Sequence, residues 1–318
     1  MKCLIGIVVV MASSVAFATP SNDPPPLWAF PVKPAHAPSD PKPDPKKIEH
    51  VAGSKAAYTL AQFDDPYFAP VWFPDEHPPM PAIVGLGRKP GPWPCAECHG
   101  ETGAGGPESA ALNGLPASYI VEQVAEFKAG RRHAAEAKME APRGMEHEAG
   151  KVSDADVAIA AAYFSHLTFH ARERVVESHT APKTVVHDGL VYAAAPGSEP
   201  LGRRIVEIPD DIHQWDIGNP HMTMTAYVPK GSIKRGEKLV ASGDGAAPCS
   251  TCHGLDLKGI GNVPPLAGRS ASYIVRQLYD IQYGTRRGPA VALMGPEVAH
   301  MTADDRIAIA AYLSSLKP

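Results

Sequence analysis

Two apolar rhythms recur along this chain. Ile120, Val124 and Phe127, and again Ile274, Leu278 and Ile281, stand at helical spacing and predict amphipathic helices opening at Ser118 and Ser272. Further on, Ile159, Tyr163 and Leu167, and later Ile309, Tyr312 and Leu316, fall on alanine-rich helical runs. Ser153 and Thr302 stand ahead of these runs as N-caps, each with aspartate in the first turn to suit the helix dipole. Between the two sets, 183–194 (KTVVHDGLVYAA) and 203–210 (RRIVEIPD) carry short β-like runs.

The two sets are copies. ASYIVEQ at 117–123 matches ASYIVRQ at 271–277, and SDADVAIAAAYFSHL at 153–167 matches TADDRIAIAAYLSSL at 302–316. Gly130 and Gly284 each fall eleven residues after the matched tyrosine and are followed closely by arginines. Agreement over this length makes a duplicated domain. An all-α fold is expected, with two repeated domains at 49–169 and 236–318 and a linker containing some strand at 170–235.

Composition fills in the remainder. At 44% hydrophobic and 20% charged residues the chain is ordinary for a globular protein. Its 30 basic against 34 acidic residues lack the excess of a nucleic-acid binder. Residues 1–18 read as a secretory signal: Lys2, an apolar run at 4–11, and a small-residue cleavage site at Ala16-Phe17-Ala18. Cys3 leaves with that leader, and no later run is apolar enough to span a bilayer, so export without a membrane span is expected. Residues 19–48 are crowded with proline and predict a disordered arm, in which Trp28 and Phe30 belong to a solvated tether rather than a dock. From 58 to 81, aromatics interrupted by proline predict an irregular cover over the first repeated domain.

The four remaining cysteines all lie in the repeats, in CAECHG at 95–100 and CSTCHG at 249–254. Each is C-x-x-C-H, the attachment pattern of a c-type haem. Two thiols three positions apart reach the vinyl groups of one porphyrin edge, and the following histidine ligates the iron. The rival readings, one zinc shared by two C-x-x-C pairs or a redox dithiol, do not require the trailing histidine. Two covalently attached haem c groups are therefore expected, on Cys95, Cys98 and His99 and on Cys249, Cys252 and His253. An electron-transfer iron takes a sixth ligand, usually Met or His. Of the methionines before the last helix, Met145 and Met294 align, each eight residues ahead of its cap, whereas Met139 and Met301 have no counterpart. His133, His147, His166 and His300 also lack counterparts and are expected at the surface, whereas Trp215, His213 and His221 are each expected to be either packed or solvent-exposed. Met145 and Met294 are the expected distal ligands.

On these residues the chain resembles a tandem of class I c-type cytochrome domains, similar to two-haem cytochromes of the c-four type, over 94–167 and 248–316. The resemblance implies a periplasmic one-electron carrier rather than an enzyme. Its partners would be redox proteins: a dehydrogenase as donor, and an oxidase or another cytochrome as acceptor. In that family a proline carbonyl holds the proximal histidine; Pro264 stands there in the second copy and Ala110 in the first, which predicts unequal sites. Two alternatives remain open. One is a two-haem peroxidase recruiting His147 and Glu146; the other is a dedicated cytochrome subunit of a dehydrogenase.

Overall fold

The computed structural model describes residues 24–35 and 44–318, and the expected leader lies outside them. Each repeat contributes three matching helices. A short motif helix, Cys95–His99 or Ser250–His253, is followed by a tyrosine-bearing helix, Ala117–Lys128 or Ala271–Tyr283, and by a closing helix, Asp154–Ser165 or Ala303–Ser315. The caps are as the sequence predicts. Ser153 accepts from the Asp156 N–H, and Thr302 accepts from the Asp305 N–H while the Asp305 carboxylate takes up the Thr302 N–H.

The copies differ in what packs outside the closing helix. In the second, the helix Ser232–Ser242 straddles the expected boundary at 235/236 and crosses the closing helix at Gly236. A Cβ there would collide with the Ala308 carbonyl, so only glycine permits this approach. The first copy has a single turn, Ala82–Gly85, in this region, burying Ile83 and Val84. Ile159, the counterpart of Ala308, consequently faces solvent at 45% exposure, against the burial its helical spacing predicts. The expected Tyr163 and Leu167 are buried, and the core face of that helix is Val157, Ala160, Ala161, Tyr163 and Phe164.

The all-α expectation needs correcting. Seven strands are present among the described residues. Glu173–Ser178 pairs in parallel with Met224–Pro229, which pairs antiparallel with Val206–Pro209. Thr180–His187 and Val191–Pro200 form a hairpin, and Ile48–Glu49 pairs with Tyr58–Thr59. The β-like runs were visible in the sequence; their assembly depends on the partner strand Met224–Pro229, whose Ala226 and Val228 are fully buried against the second repeat. The middle segment thus completes that repeat's core.

The N-terminal cover is an aromatic cluster. Tyr58 meets Phe63, Phe68 and Trp72 edge-on, and the Trp72 indole N–H donates to the Ile217 carbonyl at 2.8 Å. Of the expected disordered arm, residues 24–35 are instead seated on the second repeat. Leu27–Ala29 form one 3-10 turn, Phe30 is 1% exposed and lies edge-on to Tyr279. The Arg276 guanidinium donates to the Ala29 carbonyl at 2.8 Å, and the Tyr192 hydroxyl to the Leu27 carbonyl. Composition alone missed this because one buried aromatic outweighs the solvation of many prolines. Phe30→Ala is expected to destabilise the protein by about 3–5 kcal/mol, as a lower denaturation midpoint; an unchanged midpoint would mean the arm is only resting there.

Candidate haem-binding cavity

Each motif helix ends on its histidine because the next residue, Gly100 or Gly254, takes a left-handed φ of 76° or 88°. The returning loop supplies a carbonyl. His99 Nδ1 donates to the Ala110 carbonyl, and His253 Nδ1 to the Pro264 carbonyl, both at 2.8 Å. A carbonyl only accepts, so Nδ1 carries the proton and Nε2 keeps its lone pair for a metal. Burial pushes both imidazoles below their usual range, which favours this neutral form. Because the acceptor is main chain, alanine serves as well as proline. The inequality expected from Ala110 is not found in this bond.

Both motifs open into one cavity of about 1880 Å³. That is nearly twice the top of the usual small-molecule range, room for two large groups. Its walls include Cys95, Cys98, His99 and Met145, and equally Cys249, Cys252, His253 and Met294. The methionines stand in different local structures. Met145 lies within the helix Glu140–Lys151, and Met294 at the junction of the turn Val291–Leu293 with the one-turn helix Gly295–Val298. From its tyrosine to its methionine the first copy runs five residues longer than the second, Tyr119 to Met145 against Tyr273 to Met294, and that stretch contains the start of the helix Glu140–Lys151. Met139 is fully buried among apolar side chains of the second repeat's core, while Met301 also reaches the cavity wall.

Cys95, Cys98 and Cys249 are not poised as nucleophiles. Burial pushes the Cys95 thiol up to about 12 and raises Cys98 and Cys249 as well. A redox dithiol needs the opposite shift. His147 is exposed and bonded to Glu148, and Glu146 pairs with His133; neither His147 nor Glu146 belongs to the cavity wall. His213 pairs with Glu49, and His221 pairs with Glu76 and stacks on Phe73.

Between the two motifs lies a quasi-two-fold cluster that the sequence reading left without a role. Arg132 donates to Gln123 at 2.9 Å, and across the repeats to the Tyr273 hydroxyl at 3.0 Å and Gln277 at 3.2 Å. Arg286 returns the pattern, donating to Gln277 at 3.0 Å, the Tyr119 hydroxyl at 2.8 Å and Gln123 at 3.1 Å. Backbone bonds from His133 to Thr285 and from Arg287 to Arg131 fasten the same seam. The signal was present: these tyrosines, glutamines and arginines repeat at the same offset of 154 as the cysteines.

The cytochrome c family model matches residues 94–168 and 233–317. The chain belongs to the cytochrome c family. The thiosulfate dehydrogenase electron acceptor of Thiomonas intermedia (strain K12) is 27% identical over 227 residues, covering 70% of this cytochrome and 77% of that protein. Cytochrome c4 of Azotobacter vinelandii is 39% identical over 87 residues, 24% of this chain and 41% of that one. Among solved structures, thiosulfate dehydrogenase (TsdBA) from Marichromatium purpuratum aligns with TM-score 0.51 at 24% identity, over 74% of this chain and 39% of that chain, a likeness of fold. This cytochrome therefore spans well under two thirds of the latter two proteins.

Two covalently attached haem c groups belong to this chain, one per repeat. The cavity suits them. Its walls are largely apolar, yet Arg269 and Arg286 line it with buried Nε–H groups that have no partner among the described residues. A buried orphan donor is costly, and the acid side chains of a porphyrin are matching acceptors. Positive charge from Arg132 and Arg286 also outweighs the burial of Tyr273 and holds its hydroxyl below the usual range. Among the described residues, no helix is long and apolar enough to cross a membrane.

Proposed function

We propose that this di-haem c-type cytochrome is a periplasmic one-electron carrier with two His/Met sites, His99 with Met145 and His253 with Met294. The carrying observation is the equivalence of the two halves: two histidines fixed by 2.8 Å bonds to backbone carbonyls, and two aligned methionines, all on one cavity wall. When bound, each haem supplies an Fe(III)/Fe(II) couple, and a methionine ligand raises its potential. The chain's own part is to hold each imidazole with Nε2 unprotonated, to exclude water with the aromatic cover, and to place buried positive charge between the halves. The N-terminal leader supports export. The likeness to electron acceptors of thiosulfate dehydrogenase supports a dehydrogenase as donor, with an oxidase or another cytochrome as acceptor.

Met145→Ala and Met294→Ala are each expected to remove half of the weak red absorption of methionine-ligated ferric haem, while Met301→Ala leaves it intact. High-spin iron at both sites of the unaltered protein would overturn the reading, and loss of the band in Met301→Ala would reassign the second ligand.

A further inference from the structure

The loop that returns to His99 carries a carboxylate with no evident structural employment. Glu108 stands two residues before Ala110, the residue whose carbonyl orients His99. Its side chain folds back over Gly106, where a Cβ would collide with the carboxylate. Oε2 is sealed from solvent and has no hydrogen-bond partner among the described residues. That oxygen costs free energy when the group is ionised, because nothing replaces the water it has lost.

The charged groups around it come from every packed element. Arg172, ahead of the strand Glu173–Ser178, donates to the carbonyls of Ala104, Gly105 and Pro220. Arg276, on the helix Ala271–Tyr283, donates to the Pro107 and Ala29 carbonyls. The two guanidiniums thus grip the loop just ahead of Glu108 through carbonyls, and neither donates to its sealed Oε2. Glu207 adds negative charge from the sheet, while burial and the neighbouring Glu207 hold Glu173 well above the usual carboxylate range. Glu207 accepts from Ser270 and the Ser272 N–H, and Glu173 from the Ala271 N–H. On the haem side the charge of Glu108 is felt at Cys98 of the motif helix. Burial pushes Glu108 up to about 7, opposed by its own backbone N–H and by Arg276 and Arg172, with Glu207 adding to the rise.

The duplication supplies an internal control. At the offset that aligns the motifs, Glu108 corresponds to Asn262. Asn262 is exposed, accepts from the Ser118 hydroxyl at 2.6 Å and donates to Glu122 at 3.2 Å. It does not titrate.

We propose that Glu108 is a redox-linked proton acceptor. Its carboxylate binds one proton from solvent when the first haem takes up an electron and releases it when that electron leaves, whereas the second haem exchanges electrons alone. The physical link is charge. Reduction removes one positive charge from the iron, which weakens the field holding a sealed carboxylate ionised, and a proton restores the balance. The electron is the one delivered by the donor, so the inference rests on the carrier reading above. It places the functional inequality of the two sites at position 108 rather than at Ala110.

The test is a spectroelectrochemical titration of the haem-loaded protein between about pH 5 and about pH 9. Two one-electron steps are expected. One potential falls with rising pH by up to about 59 mV per tenfold drop in proton activity, and the other stays flat. Glu108→Gln and Glu108→Asn, which copy the neutral second site, should hold the responsive potential at its acid limit across the range. Glu108→Asp, which keeps a titratable group, should retain the slope. Unchanged haem absorption and thermal midpoint verify that each variant is folded. Flat potentials in the unaltered protein, or a slope surviving in both neutral variants, overturn the proposal while leaving the carrier reading intact. Absence of two reversible electron steps overturns the carrier reading and this proposal with it.

Discussion

Glu101→Leu should cost about 3–5 kcal/mol of stability and loosen the N-terminal cover, although leucine is what the second repeat has at the matching position 255. Glu101 is 2% exposed. Its carboxylate accepts from the Trp72 N–H at 3.0 Å, the Phe73 N–H at 3.2 Å and the His77 ring at 3.0 Å. The Tyr163 hydroxyl closes the group by donating to the Glu101 carbonyl. Leucine would leave two amides and a buried imidazole without an acceptor. Leu255, with no cover to anchor, is 97% exposed. The effect depends on pH. The bond from Glu101 raises His77 above its ordinary value against the opposing effect of burial, with the Pro78 carbonyl adding to the rise. The charged part of this stabilisation is complete below the ordinary histidine range, near pH 6.5, and is lost as pH rises through the raised value of His77. Urea denaturation should therefore show the largest gap between the two proteins at mildly acidic pH and a smaller one at alkaline pH. Equal midpoints would mean that the carboxylate does not secure the cover.

The duplication and the motif histidines were legible because they are local: a spacing, a cap, a repeated heptapeptide. Ser153 and Thr302 cap where the sequence puts them, since an N-cap needs only its own first turn. The exposure of Ile159 was not legible. It follows from the lack of a long helix outside the first repeat, and no periodicity within 153–167 reports what lies outside. The same holds for the docking of Phe30, whose partners Tyr279 and Arg276 sit at the far end of the chain. Arg132 and Arg286 fall between these extremes. Their repetition was visible, but only the fold brings each to the other copy's tyrosine.

Arg132→Met and Arg286→Met should each lower both haem potentials and each cost about 3–5 kcal/mol of stability. Each arginine binds Gln123 and Gln277 and one tyrosine of the opposite repeat, so either loss strips buried acceptors in both halves. Removing a buried positive charge disfavours the gain of an electron, which fixes the direction of the potential shift. Because the glutamines are shared, the double variant should cost less than the two singles together, by about 0.5–3 kcal/mol. Potentiometry and denaturation of the four proteins give the cycle. Strict additivity would show two independent arginines, and a shift confined to one haem would show that the seam serves only one repeat.

The seated arm dictates an order of assembly. Ala29 receives its bond from Arg276, 247 positions later, and Leu27 from Tyr192, 165 positions later. The first described residues of the chain reach their place only once nearly the last have been made and folded, the costliest kind of loop to close. The proline-rich arm is thus a late fastening, put in place after the second repeat has folded.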